Sequence, residues 1–434
     1  MHESLQLQSI ETNSPSIVAG DCLSGRHVTR TRRNQICFYA AATLALLTLL
    51  ALVAASPDVL VYDEPLHLQG ARLLLDGAGL EDLLLAPVPS AAGPLFPAVH
   101  ALFAPITQLQ APAVRWVNLL FLLWTMAATV AILRQLGRDD ALPLACFLLA
   151  IPAAWVAGAM ALTEAPAAAM ASSALAMLLL ARSLDRTISC NAAFAASGVL
   201  AGLAVLGRQV YLPLVFPYLA VAAADQRLRP AAVLALACLG AVVAPVFFIW
   251  GGILAPTKLY HGGSIVISHG VLSFAYLGAV VLIVAPAFYR QAFWPAIAIA
   301  TAAAVVNAWL IGLEQLPLRG LLGAFEHARG LAARIGGSVM VGLACAFAVA
   351  FALTVWRNRH DFWLSVIAVV AFSLAATPFG IIHAFSSRYT FAACPFTLLL
   401  LRPFFTPSLW ASARLLLGAA LGAVSLYTYY WPSV

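Results

Sequence analysis

Residues 37–55 read CFYAAATLALLTLLALVAA, an unbroken apolar run. A helix of about 20 residues spans the roughly 30 Å hydrocarbon core of a bilayer, so this run predicts a membrane helix. Four arginines precede it, at Arg26, Arg30, Arg32 and Arg33, and an acidic stretch follows it. Because positive charge collects on the cytoplasmic side of membrane helices, we expect the N-terminus to be cytoplasmic.

The rest of the chain is also strongly apolar. Of 434 residues, 63% are hydrophobic and only 9% are charged, against about 25% charged in a soluble domain. The apolar runs are rich in Ala and Leu and lack the alternation of a membrane β-strand. The sequence therefore predicts an all-α, polytopic transmembrane bundle of about 12 to 14 spans. After the first run, the candidate spans are residues 115–134, 142–158, 162–182, 192–208, 210–224, 230–253, 270–289, 293–312, 336–356, 362–383, 389–402 and 411–430.

The polar stretches divide the chain into a tail and a membrane domain. Residues 1–35 are rich in Ser and Thr, and we expect a disordered cytoplasmic tail there. Residues 36–434 are predicted to form a single transmembrane domain. Within it, residues 56–92 are acidic and form the predicted first external loop, with two short amphipathic helices at the membrane interface. The proline-containing segment 94–109 is too short to cross and is interpreted as re-entrant.

The first loop holds the clearest candidate for chemistry. Asp63 and Glu64 are adjacent, and His67 follows one helical turn later. Asp63 is the favoured general base for deprotonating an acceptor hydroxyl, and Glu64 is a second candidate base. Either carboxylate could instead bind a divalent cation such as Mg²⁺ or Mn²⁺, and His67 could orient the base. Acidic residues are also favourable at a helix N-terminus without any catalytic role.

A second group of polar side chains lies at the ends of predicted spans. Ionisable groups close to the hydrocarbon are costly, so they suggest function, although each one alone could be an interface anchor. Several fall on the outer side, with the acidic loop, and could clamp a lipid phosphate. The group comprises Arg115, Asn118, Glu164, Arg208, Gln209, Lys258, His261, His269, Arg388 and Tyr389.

Nucleotide and nucleic-acid binding find no support in the sequence. It contains no P-loop and no glycine-rich dinucleotide fingerprint. Its arginines cluster at span ends, without the aromatic interleaving of a nucleic-acid surface. A sugar donor that already carries a lipid phosphate as its leaving group would need only a base and a phosphate site.

Several short motifs, in the same order, resemble the dolichyl-phosphate-glucose-dependent α-1,2-glucosyltransferases that add the last glucose to the lipid-linked oligosaccharide. These enzymes belong to the GT-C group. The resemblance rests on Asp63-Glu64-Pro65-Leu66-His67, Gly93-Pro94-Leu95-Phe96, Gly207-Arg208-Gln209, Trp250-Gly251-Gly252-Ile253 continuing through Lys258 and His261 to His269, and Arg388-Tyr389-Thr390-Phe391. The chain departs from the family in two places. Arg388 precedes the Tyr where the family has a His, and residues 255–258 stand where the family has Gly-Asp-Lys.

The resemblance implies a GT-C-like fold and an inverting transfer of a hexose, with glucose as the family's sugar. The donor would be a polyprenyl-phosphate sugar, and the acceptor a hydroxyl of a glycan or lipid-linked molecule on the non-cytoplasmic side. Arg208, Lys258, His261 and Arg388 are the expected ligands of the donor phosphate, and Arg115, Gln209, His269 and Tyr389 are further candidates for contact with the donor phosphate or the rest of the substrate. The short loops suggest a bacterial inner-membrane relative that uses undecaprenyl or a similar lipid.

Two other classes of function remain open at this point. A transporter or lipid flippase could use Asp63, Glu64 and Glu164 for proton coupling, although such proteins usually carry internal repeats and we find none. A membrane scaffold would need no cationic cluster facing an acidic loop. Proximity of Asp63 to the cations would favour the glycosyltransferase.

Overall fold

The computed structural model describes residues 21–86, 92–184, 187–256, 264–313, 329–382 and 385–431. Every regular element in these ranges is helical, which confirms the predicted all-α class. The α-helices are α1 (Asp21–Ala54), α2 (Glu64–Leu75), α3 (Leu80–Leu85), α4 (Leu95–Thr107), α5 (Ala113–Gln135), α6 (Ala141–Cys146), α7 (Pro152–Ala159), α8 (Glu164–Arg182), α9 (Thr187–Gly207), α10 (Val215–Ala224), α11 (Arg229–Trp250), α12 (Ile267–Val284), α13 (Ala287–Arg290), α14 (Phe293–Val306), α15 (Arg329–Arg357), α16 (Phe362–Ala376), α17 (Cys394–Leu400) and α18 (Leu409–Tyr430).

Ten helical segments in the described part of the chain are long and apolar enough to cross a membrane. The chain is therefore a multi-pass integral membrane protein. Most of these segments match a predicted span within a few residues, because an apolar run of about 20 residues is the dominant signal. The segments are Arg32–Ala54, Ala113–Gln135, Glu164–Arg182, Thr187–Gly207, Arg229–Trp250, Ile267–Val284, Phe293–Ile311, Gly330–Arg357, Phe362–Gly380 and Leu409–Tyr430.

Three predicted spans are interrupted. Ala141–Ala150 and Pro152–Ala159 form one apolar pair bent by 80°, where the proline lacks the N–H that would continue the helix. The predicted spans 210–224 and 389–402 each consist of a 3₁₀ turn joined to a short α-helix, and a proline lies in each. Long spans in the described residues therefore number ten, or eleven with the bent pair, instead of 12 to 14.

The first helix starts earlier than the sequence suggested. It begins at Asp21, inside the stretch 1–35 predicted to be a disordered tail. No proline lies between Asp21 and Cys37, so nothing in the backbone forces the membrane helix to end at the bilayer surface. Residues 1–20 of the predicted tail lie outside the described residues.

The first loop contains the two short helices that its amphipathic pattern predicted. Helices α2 and α3 are separated by a turn at Gly77, whose φ of +87° is favourable only for glycine among common residues. Leu68 and Ala71 of α2 pack with Phe96 of α4 in a small buried cluster. With 13 residues, α4 is too short for a full crossing. Its re-entrant placement, like the interfacial placement of α2 and α3, remains a prediction.

Close helix contacts at small residues set the geometry of the bundle. A Cβ atom on Gly198 of α9 would lie 2.1 Å from the carbonyl oxygen of Ala235 in α11, so only glycine fits this crossing. In the same way, Gly422 of α18 packs against the indole of Trp155. Near the C-terminal end of α18, the ring of Tyr429 meets that of Tyr62, just before α2, at a centroid distance of 5.0 Å.

Charged side chains lie at both ends of the bundle. Glu164 opens α8, and Arg182 closes it and lies over the Trp363 ring at 4.9 Å. At that second end Arg402 also pairs with Asp361 at 2.5 Å. The candidate residues of the first loop gather at the opposite end, around Glu164.

Candidate active site

Four chain segments bring charged side chains together at the Glu164 end of the bundle. Asp63 precedes the first residue of α2, and Glu164 is the first residue of α8. Arg208 directly follows α9, and Arg388 lies in the 3₁₀ turn Ser387–Ala393. We call Asp63, Glu164, Arg208 and Arg388 the ion-pair cluster.

Asp63 and Arg388 form the closest pair of this cluster. Oδ2 of Asp63 accepts a hydrogen bond from Nη2 of Arg388 at 2.5 Å. The Asp63 side chain is 27% exposed, whereas that of Arg388 is only 6% exposed. The guanidinium also lies over the rings of Tyr62, at 5.2 Å, and Tyr389, at 5.4 Å. The carboxylate therefore reaches solvent while its cationic partner is held in the protein.

Glu164 lies between the two arginines. Its Oε1 is 3.2 Å from Nη1 of Arg208 and 3.7 Å from Nε of Arg388. Nη1 of Arg208 also donates a hydrogen bond to Oγ1 of Thr163 at 2.9 Å. Burial alone would lower the pKa of Arg388, but Glu164, Tyr389 and Asp63 raise it, so the guanidinium remains charged. The four ionised groups sum to zero charge.

Hydrogen bonding in the cluster is incomplete. Nε and Nη1 of Arg388 and Oε1 of Glu164 are buried, and none of the three takes part in a well-formed hydrogen bond. Such buried atoms are rare in folded proteins and each needs an explanation, such as a ligand or water that completes the network. The cluster therefore has unused donors on the same guanidinium that holds Asp63.

Glu64 and Arg115 form a separate, closed pair. Both side chains are fully buried. Nε and Nη2 of Arg115 donate to Oε1 and Oε2 of Glu64 at 2.9 and 2.7 Å, and its other donors bind Ser56, Pro57 and Val59. All five guanidinium N–H groups are thereby used.

The hydrogen-bond acceptor positions of the Glu64 carboxylate are also filled. Besides Arg115, the backbone N–H groups of Val61 and Ala161 donate to Glu64, each at 2.9 Å. A carboxylate has about four acceptor positions, so none remains for a substrate proton or a metal ion. In place of the predicted base, metal-ligand and phosphate-binding roles, we assign Glu64 and Arg115 the structural role of fixing the loop before Asp63.

His67 lies one helical turn after Asp63 and is buried. Burial lowers its pKa to about 4, although the nearby Glu164 carboxylate acts in the opposite direction. The imidazole is therefore neutral near pH 7. Its ring meets the edge of Phe96 at a centroid distance of 5.8 Å.

A pocket that is partly open to solvent lies beside His67. Its walls are mostly apolar and come from α2, α3, the start of α4 and the end of α11. Trp250 closes one side, and its Nε1 donates to the carbonyl of Leu84 at 3.0 Å. The lining residues are His67, Gly70, Leu83, Leu84, Ala86, Ala92, Gly93, Pro94, Pro97, Trp250 and Ala255.

The other predicted substrate contacts lie in different parts of the structure. Tyr389 is buried, and its ring centroid lies 5.8 Å from the Arg208 guanidinium and 5.4 Å from that of Arg388. Gln209 follows Arg208 directly at the start of a 3₁₀ turn. His269 lies at the start of α12, where its Nδ1 is 2.6 Å from the carbonyl oxygen of Ile381. Lys258 and His261 lie outside the described residues.

Two features of the site could not be assigned from the sequence. The position of Glu164 between two arginines depends on tertiary contacts, and only its polarity at a span end marked it as a candidate. Tyr62 precedes Asp63 but carries no recognisable signal. Among the described residues, no group of three His, Cys, Asp or Glu side chains is arranged to hold a metal ion.

No protein-family model and no curated protein sequence matches the chain. Among solved structures, it is similar to ArnT from Cupriavidus metallidurans in the apo state, with a TM-score of 0.42 and 17% identity over 94% of this chain and 78% of that one. It is also similar to ArnT from Cupriavidus metallidurans bound to undecaprenyl phosphate, with a TM-score of 0.46 and 16% identity over 90% of this chain and 77% of that one.

Proposed function

We propose that this protein is a membrane glycosyltransferase of the GT-C type. It transfers a hexose, with glucose as the first sugar to test, from a polyprenyl-phosphate donor to an acceptor hydroxyl, with inversion. The observation that carries the proposal is the pairing of a partly exposed carboxylate, Asp63, with a buried guanidinium, Arg388, that has unused donors. A base and a phosphate ligand are the two groups that this reaction needs from the protein.

In the proposed reaction, Asp63 accepts the proton of the acceptor hydroxyl. The hydroxyl oxygen attacks the anomeric carbon from the face opposite the phosphate. The bond between the anomeric carbon and the phosphate oxygen breaks, and the electron pair leaves with the polyprenyl phosphate. A single displacement of this kind inverts the anomeric configuration.

The arginines stabilise the charge that develops on the leaving phosphate. Nε and Nη1 of Arg388 are available for this role while Nη2 remains on Asp63, so one side chain could contact both the base and the leaving group. Arg208, 18% exposed, supplies a second guanidinium. Lys258, His261, Gln209, His269 and Tyr389 remain candidate substrate contacts, and His67 is retained as an orienting group.

The geometry gives little support to a metal ion at the first-loop carboxylates. Glu64 has no free acceptor position, and Asp63 already faces Arg388. The same observation weakens the transporter alternative, because a fully hydrogen-bonded Glu64 is a poor carrier of protons. The active site is proposed to lie on the non-cytoplasmic face, with the N-terminus in the cytoplasm of a bacterial cell.

The test is glycosyl transfer by the purified protein in lipid nanodiscs, with radiolabelled polyprenyl-phosphate sugars that include undecaprenyl-phosphate glucose. Asp63→Asn keeps the shape of the side chain and removes the base, and it should reduce transfer by about 10² to 10⁴-fold. Asp76→Asn, an exposed carboxylate of the same loop, is the matched control. Lipid or solute movement without sugar transfer, sensitive to Asp63→Asn, would establish the transporter instead.

A further inference from the structure

Glu164 occupies the place where an anionic ligand of the two arginines would bind. Its carboxylate contacts Arg208 at 3.2 Å and Arg388 at 3.7 Å, and its side chain is only 5% exposed. A carboxylate and a phosphate make the same kind of charge-assisted contact with a guanidinium. The protein thus provides its own anion at the position proposed for the donor phosphate.

Charge explains why such an internal anion is useful. Without Glu164, the cluster would carry a net charge of +1, from two arginines and Asp63. The donor is a phosphodiester with one negative charge, whereas the released polyprenyl phosphate is a monoester with up to two near pH 7. A cationic site would therefore hold the product more tightly than the substrate, and slow product release limits turnover in many enzymes.

We propose that Glu164 competes with the donor and product phosphates for Arg208 and Arg388, and so promotes release of the polyprenyl phosphate. The inference rests on the proposed function. When lipid phosphate binds, the arginines exchange part of their ionic contact with Glu164 for contact with the ligand. When the product leaves, Glu164 restores its contacts and the cluster returns to zero charge.

The geometry distinguishes Glu164 from a purely structural ion pair. In the Glu64–Arg115 pair every donor and acceptor position is filled at 2.7 to 2.9 Å. In contrast, Oε1 of Glu164 accepts no well-formed hydrogen bond, and Arg388 retains two unused nitrogens. Loose contacts of this kind can be exchanged for a ligand at low cost, whereas the closed pair cannot.

The experiment measures binding of undecaprenyl phosphate to the full-length protein in nanodiscs, together with its inhibition of sugar transfer. Glu164→Gln removes the charge and keeps the shape. We expect its dissociation constant for undecaprenyl phosphate to fall about tenfold, since a negative charge within 4 Å of the arginines is lost. Inhibition by the product should strengthen in parallel, and kcat and the donor KM should both fall.

Glu164→Asp and Glu81→Gln complete the series. Aspartate keeps the charge but withdraws it from both arginines, so the affinity of Glu164→Asp for undecaprenyl phosphate should lie between those of the parent and Glu164→Gln. Glu164→Asp carries the test if Glu164→Gln does not fold. Glu81 is exposed on α3 and serves as the control for charge alone. Folding of each variant is followed by its melting temperature.

The outcomes separate the two proposals. If the parent binds undecaprenyl phosphate but folded Glu164→Gln or Glu164→Asp binds it equally or more weakly, Glu164 has only a structural role and the inference is overturned. If the parent neither binds undecaprenyl phosphate nor transfers sugar, the proposed function itself is wrong.

Discussion

Oδ2 of Asp63 and Nη2 of Arg388 lie 2.5 Å apart although 325 positions separate them in the sequence. The contact joins the first loop to the 3₁₀ turn before α17, near the other end of the chain. Because Asp63 stays 27% exposed, the pair is open on the carboxylate side. Arg388 therefore holds the proposed base in position without shielding it from an acceptor.

Replacing Arg388 by lysine should separate charge from geometry at this contact. Lysine keeps the positive charge but lacks the planar fork that allows one side chain to contact both Asp63 and a phosphate. We expect kcat/KM for sugar transfer to fall on the order of 10²-fold, as when one donor of an oxyanion site is removed. Steady-state kinetics on the purified variant measures this effect. Arg359→Lys, at an exposed site at the other end of the bundle, should leave kcat/KM unchanged.

Much of the fold could be predicted because long apolar runs are a strong signal. The run before Pro57 and the runs forming α5, α8, α9 and α11 each correspond to one continuous helix. The bend at Pro152 could not be predicted as such, since a proline in a membrane helix can also be accommodated without a break. Whether the helix bends or continues at the proline depends on its contacts with neighbouring helices, which the local sequence does not show.

Only some of the contacts in the candidate site could be predicted from the sequence. Asp63 and Arg388 were expected near each other from the side of the membrane to which each was assigned. Asp63 was favoured over Glu64 as the base, but the closed pairing of Glu64 with Arg115 could not be predicted, since the partners of adjacent side chains at the start of a helix depend on tertiary packing. Only the packing of α5 and of the loop before α2 shows that Glu64 faces Arg115 while Asp63 faces Arg388.

Breaking the closed Glu64–Arg115 pair should cost stability. Glu64→Gln leaves the Arg115 guanidinium buried without a countercharge, and loss of one partner in such a pair typically costs about 3 to 5 kcal/mol. We expect a large fall in melting temperature in detergent. The double variant Glu64→Leu, Arg115→Met should lose less than the sum of its single variants, because neither buried charge is left alone. Strict additivity would contradict an interaction between these side chains.

The stability of the protein should fall as pH drops below about 6.5. Burial lowers the pKa of His67 to about 4, whereas an unfolded histidine titrates near 6.5. Between these values the unfolded state binds more protons, so the stabilising contribution is present above pH 6.5 and is lost as pH falls towards 4. At pH 5 the loss amounts to about 2 kcal/mol. The fall in melting temperature from pH 7 to pH 5 should be smaller in His67→Gln, and an equal fall would show that His67 does not titrate in this range.

The sidedness of the site can be tested with single cysteines in a background lacking the seven native ones. Glu81, on α3 of the first loop, and Arg359, after α15, are both exposed. They belong to opposite ends of the bundle, since Arg359 lies close in sequence to Trp363, which contacts Arg182 at the far end of α8 from Glu164. In intact cells a membrane-impermeant thiol reagent should label Glu81→Cys, and it should reach Arg359→Cys only after permeabilisation. The reverse pattern would place Asp63 and Arg388 on the cytoplasmic side, where an externally facing transfer reaction could not occur.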